Sequence, residues 1–158
     1  MTDISEMSDG NILLVFRLEG EAFGVSVSYV HEILDRERPT MVPNADAFSP
    51  GLINVRGSVV PLVDVRLRLG MGPAQATENA RMIVLEHEIK DVKTKLAFEA
   101  DAVEEVFEVN MSDVEPVPEL GASWPQVYLL GAIRREDELI ILLDPDTLFS
   151  PNPSFAAA

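Results

Sequence analysis

The chain has two histidines, His31 and His87, and no cysteine. His31 precedes Glu32, and Ser28 lies three residues upstream. Those are the residue types of a serine–histidine–carboxylate relay. Such a relay needs its nucleophile on a sharp exposed turn with an oxyanion hole beside it. No Gly-x-Ser-x-Gly occurs, so His31 is expected to be a surface histidine. Glu86-His87-Glu88 offers metal-ligand types, but along a strand the two carboxylates point to one side and the imidazole to the other. The triplet reads as a solvated strand end. No Gly-x-Gly-x-x-Gly or Walker-type loop is present to cradle a nucleotide. The paired acids Glu104-Glu105 and Glu136-Asp137-Glu138 read as charge in turns or on surface faces. No catalytic set, metal site or cofactor cradle emerges.

The residue that stands out is Arg56. With Gly57 it occupies the tip of a hairpin between two apolar strands, in a protein with 27 acidic residues and only 12 basic ones. An arginine held rigidly there is suited to an interface, because its planar fork makes several directed bonds.

The elements that must hold these residues are mostly strands. Ile12 to Leu18 and Phe23 to Val27 read as a strand pair around the Glu19-Gly20-Glu21 turn. Val30, Ile33 and Leu34 are spaced like one face of a short helix, with Ser28 as its N-cap. Gly51 to Asp64 reads as two strands around an Arg-Gly-Ser turn, with Pro61 marking an edge or a bulge. Asp64 caps a short helix ended by Gly70. Met71 to Asn79 reads as a linker, Met82 to Leu85 and Thr94 to Phe107 as strands, and Asn110 to Pro125 as a long loop. A last hairpin runs from Leu130 to Asp144 around Arg134-Arg-Glu-Asp-Glu138, and Asp144-Pro145 opens a second short helix.

A repeat is hidden in this order. Gly51 and Asp64 superimpose on Gly131 and Asp144 at a constant offset, and Val59 to Val63 falls on Leu139 to Leu143. Upstream, Val30 to Leu34 resembles Val103 to Phe107, each following a strand pair. The chain therefore reads as two similar small sheets or barrels. Runs as apolar on both faces as Leu139 to Leu143 need cover on both sides, which packing between the halves would supply.

At 158 residues and 47% hydrophobic content, one ordinary domain with a real core is expected. A net charge of −15 opposes nucleic-acid binding. The acidic, polar N-terminus lacks the chemistry of a secretory signal, and the longest apolar run is too short to span a bilayer.

Phe16 to Val27, Val30-His-Glu-Ile33, Thr40 with Pro43, and above all Gly51-Leu-Ile-Asn-Val-Arg-Gly-Ser-Val-Val-Pro-Leu-Val-Asp-Val-Arg66 resemble the CheW-type chemotaxis coupling proteins. The likeness continues through Asp101-Ala-Val and Gly131 to Phe149. Ala97 and Ala102 depart from it where glycine is frequent, and Glu99 enters a usually apolar strand.

The resemblance implies a mainly β fold: two intertwined five-stranded SH3-like β-barrel subdomains packed together, with short helices. The boundaries expected are a flexible segment over residues 1–11, a single domain over 12–149 with halves of about 12–70 and 80–149 exchanging strands, and a flexible tail over 150–158. It implies a non-enzymatic cytoplasmic adaptor, recruited to receptor arrays at the inner membrane. The partners implied are the regulatory domain of a CheA-type histidine kinase and the cytoplasmic tips of methyl-accepting chemoreceptors, with no nucleic acid and no membrane insertion. Val30 and Glu32 match positions associated with receptor contact. Arg56 matches the arginine of the hairpin motif important for coupling, with Gly57 beside it. Two other readings stand: a coupling or array-limiting protein of a gliding, pilus or other non-flagellar pathway, and a small hydrolase or ligand-binding barrel.

Overall fold

The computed structural model describes residues 12–73, 77–89, 91–118 and 124–150. The segments expected to be flexible, 1–11 and 150–158, lie outside the described residues apart from Ser150.

The chain opens with a hairpin of β1 (Ile12–Leu18) and β2 (Glu21–Ser26). A single 3-10 turn, Val27–Tyr29, leads into β3 (Val30–Asp35) and the two-residue β4 (Thr40–Met41). A second hairpin, β5 (Gly51–Val55) and β6 (Ser58–Leu62), runs into helix α1 (Val65–Arg68). The sequence of elements then recurs. Hairpin β7 (Arg81–Ile89) and β8 (Val92–Ala100) precedes β9 (Ala102–Glu108), and hairpin β10 (Leu129–Arg135) and β11 (Glu138–Leu143) runs into α2 (Pro145–Leu148).

Each copy gives its first hairpin away. One sheet has the order β10-β11-β2-β1-β9, and the other β5-β6-β8-β7-β3 with β4 added beyond β5. We call them the terminal and the central barrel. The orders match strand for strand, and in each the borrowed hairpin meets its host through a parallel contact. Those contacts are β11 on β2 at Ile141 and Phe23, and β6 on β8 at Leu62 and Ala97.

The exchange explains why strands such as β1 and β11 are apolar on both faces. Leu13 and Val15 point into the terminal barrel with Ile140 and Leu142. Leu14, Phe16 and Leu18 point the other way with Ile141 and Leu143, into a core that also holds Ile83, Leu85 and Phe98 of the central barrel. Phe16 and Phe98 meet there with ring centroids 5.2 Å apart. A separate, smaller core of Ile53, Val55, Val60, Val84 and Ala97 fills the central barrel. The largest apolar cluster thus lies between the barrels, and burial of its aromatic and branched side chains is what holds them together.

The two aligned glycines have one physical cause. A Cβ on Gly51 would come within 2.9 Å of the Thr40 carbonyl oxygen, and one on Gly131 within 2.8 Å of the Glu115 carbonyl oxygen. In each barrel a crossing segment passes against the strand there: β4 pairs with β5, and Glu115 bridges to Ala132. The aligned aspartates also act as expected. The Asp64 carboxylate accepts from the Leu67 N–H at 3.2 Å and Asp144 from the Asp146 N–H at 3.0 Å, capping α1 and α2.

Five expectations need correction. Val30 to Leu34 is a strand, not a helix: it pairs antiparallel with β7, and its inward positions are Val30, Glu32 and Leu34, so a charged residue takes an inward place while Ile33 faces outward. The cap belongs to Ser26, whose oxygen accepts from the Ser28 N–H. Thr94 to Phe107 is two strands, because the chain breaks at Asp101 to cross from one sheet to the other. Pro61 lies neither at an edge nor in a bulge: β6 has β5 on one side and meets β8 only at Leu62, so the missing N–H of Pro61 interrupts nothing. Finally, the loop of the last hairpin is not a longer charged turn. Arg135 pairs with Glu138, leaving only Glu136-Asp137 as its loop, the same length as Arg56-Gly57.

Candidate functional site at a hairpin tip

The β5–β6 turn is built from residues with positive φ, 52° at Arg56 and 86° at Gly57, the signature of the tight hairpin turn whose twist suits the flanking strands. Nothing lies within 4 Å of a Cβ built on Gly57, so its backbone conformation and not crowding calls for glycine. The Gly57 N–H donates to the Asn54 side-chain oxygen at 2.9 Å, which ties the tip to β5.

This turn carries Arg56 across the open side of the central barrel to β3. Its Nε donates to Glu32 Oε1 at 3.2 Å and Oε2 at 3.4 Å. The Arg56 side chain is 80% exposed, whereas the Glu32 side chain is 15% exposed. One partner is therefore anchored and the other presented. Val30, two residues before Glu32, is half-buried against the core between the barrels. The fold thus brings Glu32, Arg56 and Gly57 to one tip and fastens Val30 at the root of the same strand.

His31 is exposed, with Nε2 at 3.7 Å from Glu32 Oε2. The Ser28 hydroxyl bonds the Ser26 hydroxyl at 2.9 Å, so no serine–histidine relay forms. His87 departs from its expectation as a solvated strand end. It is 8% exposed, its Nε2 is 3.1 Å from Asp146 Oδ1 on α2, and its ring is 5.4 Å from that of Tyr29. Burial raises the Tyr29 hydroxyl above its ordinary range, and the Asp146 charge adds to the shift. Among the described residues, no group of three or more His, Cys, Asp or Glu is placed to hold a metal ion.

The same position in the terminal barrel is built differently. There the turn is Glu136-Asp137, and the arginine stands one residue earlier. Arg135 ion-pairs with Glu105, and its Nη2 donates to Glu104 at 3.0 Å. Arg17 of β1 bonds Glu104 and Glu138 together: Nε donates to Glu104 Oε2 at 2.9 Å and Nη2 to Glu138 Oε1 at 2.8 Å. Those bonds hold the Glu104 and Glu138 carboxyls below the usual carboxylate range and keep the Arg17 guanidinium above its own. Glu104, Glu105 and Glu138, read from the sequence as plain surface charge, are therefore tied into a network. Its signal was available: Arg17 is the one charged residue in an otherwise apolar strand.

A family model, CheW-like domain, matches residues 13–151. The chain belongs to the CheW-like domain family. It is 31% identical over 148 residues to the chemotaxis protein CheW of Rhizobium meliloti, covering 94% of this chain and 93% of that one. It is 30% identical to protein PilI of Pseudomonas aeruginosa, covering 87% and 71%. The scaffolding protein TtCheW of Thermoanaerobacter tengcongensis superimposes with a TM-score of 0.77 at 29% identity, covering 90% of this chain and 89% of that one. This CheW-like chain therefore shares the two-barrel architecture, and the strand exchange is what its internal repeat encodes.

Proposed function

We propose that this chain is a non-enzymatic chemotaxis adaptor, a scaffold that couples the cytoplasmic tips of chemoreceptors to the regulatory domain of a CheA-type histidine kinase. The observation that carries the reading is the presented guanidinium of Arg56, fixed over a half-buried Glu32 on a tight turn, in a CheW-like fold. Val30, Glu32, Arg56 and Gly57 form the coupling surface. Glu32 orients Arg56, Gly57 sets the turn, and Val30 fastens the strand to the core between the barrels. A change at this tip is therefore passed to a rigid body rather than absorbed by a loop.

The adaptor works in the cytoplasm and joins receptor arrays at the inner membrane by protein contacts. Among the described residues, no helix is long and apolar enough to cross a membrane. Residues 12–149 act as one unit, because the hairpin exchange leaves neither barrel whole without the other copy's strands. A second reading, an adaptor of a pilus or other non-flagellar chemosensory pathway, is favoured by the 30% identity to PilI.

Titration of the purified full-length chain against a CheA regulatory domain and a receptor-tip fragment tests the reading. The adaptor should bind both at once, in a ternary complex by sedimentation. Binding to neither, or competition between the two, would overturn it.

A further inference from the structure

The sheet of the terminal barrel ends in β9 on one side and β10 on the other, and these terminal strands do not pair with each other. Between them lies a cleft of about 410 Å³. Phe107, Val109 and Ile133 line it, with Val109 and Ile133 buried. Among the described residues, the outer edge of β10 takes one bridge, from Glu115 to Ala132, and β9 has no strand on its outer edge. Glu108, Asp113 and Glu115 stand around the cleft. Arg134, the one basic residue lining it, is held by Glu115 at 3.1 Å, and neither Glu108 nor Asp113 has a cationic partner among the described residues.

An unpaired strand edge offers backbone donors and acceptors to an added extended segment. The apolar lining offers a seat for one side chain of that segment, and the unpaired carboxylates select its charge. We infer that this cleft docks an extended segment of a partner protein in which basic residues flank an apolar one. The segment lies along β9, its basic side chains meet Glu108 and Asp113, and its apolar side chain rests on the half-buried Phe107. This surface is separate from the Arg56 tip and of opposite charge, so it does not rest on the coupling reading above.

A short acetylated peptide alternating lysine and valine serves as the probe, followed by backbone amide shifts of the full-length chain. The expected result is shifts concentrated at residues 105–109 and 133–134. Affinity should fall about tenfold in Glu108→Lys/Asp113→Lys and less than about twofold in Glu136→Lys/Asp137→Lys, which makes the same charge change at an exposed turn that does not line the cleft. A lysine-only peptide should bind more weakly than the alternating one. Absence of binding, shifts spread over the whole acidic surface, equal loss in both double variants, or equal binding of the lysine-only peptide would each overturn the assignment.

Discussion

The two hairpin tips occupy equivalent places in equivalent barrels, yet they spend their charges in opposite ways. In the central barrel one arginine at the turn meets one glutamate on β3, and the arginine stays mostly in water. In the terminal barrel two arginines, Arg17 and Arg135, are shared among Glu104, Glu105 and Glu138, and the turn itself is Glu136-Asp137, which has no cationic partner among the described residues. Charges locked to one another stabilise their own barrel and present little to a partner, whereas a single guanidinium on a rigid turn is available to bind. The two barrels are two copies of one frame. One tip closes on itself through ion pairs, and the other carries the contact role proposed above.

The frame itself is the most sensitive place to break this comparison. Gly51→Ala and Gly131→Ala should each lose about 2 kcal/mol by urea denaturation, since a methyl would push on a crossing backbone in both barrels. Loss in one barrel and not the other would show that the equivalence is only topological.

Arg17→Met comes next. It leaves Arg135 as the one guanidinium between Glu104 and Glu138, and about 1 kcal/mol should be lost near neutral pH, a modest figure because both carboxylates are partly solvated. The effect has a pH signature. Carboxyls held low in the folded state add stability above the unfolded carboxylate range, near about pH 4.3, and lose it as pH falls through their folded values. The gap between Arg17→Met and wild type should therefore close below about pH 4. Asp144 is pushed up by burial and works with the opposite sign, but it is common to both proteins and cancels in the difference. A gap that persists in acid would mean that Arg17 acts through packing.

The smallest stability effect is expected at the other tip. Arg56→Glu should change unfolding free energy by no more than about 0.5 kcal/mol, because the side chain is exposed and makes one ion pair. A larger loss would make the central tip a closure like the terminal one and would remove the contrast.

Much of this was legible in the sequence, and the gaps have physical causes. Gly51 with Gly131 and Asp64 with Asp144 marked the repeat, because a close backbone approach and a helix cap each demand a residue type at a fixed place. The Arg56-Gly57 tip was legible for the same reason. What escaped depended on partners distant in the chain. Val30 to Leu34 looks helical because Glu32 points inward to meet Arg56 and Ile33 points outward, which reverses the expected polar and apolar places. His87 looked solvated because its cover, Tyr29 and Asp146, comes from a crossover turn and from α2. The Arg17 network joins residues more than 80 positions apart, which no local spacing reveals.

The contact role of the Arg56 tip is tested most directly by charge exchange with its partner. Affinity for the receptor-tip fragment and for the kinase regulatory domain is measured for wild type, Arg56→Glu, and the exchanged pair Glu32→Arg/Arg56→Glu, all checked for equal thermal stability. Arg56→Glu should weaken at least one of the two interactions by about tenfold or more, and the exchanged pair should not restore it, because the partner reads the presented guanidinium. Undiminished binding of Arg56→Glu to both fragments, or full restoration by the exchange, would show that the pair serves only to close the barrel.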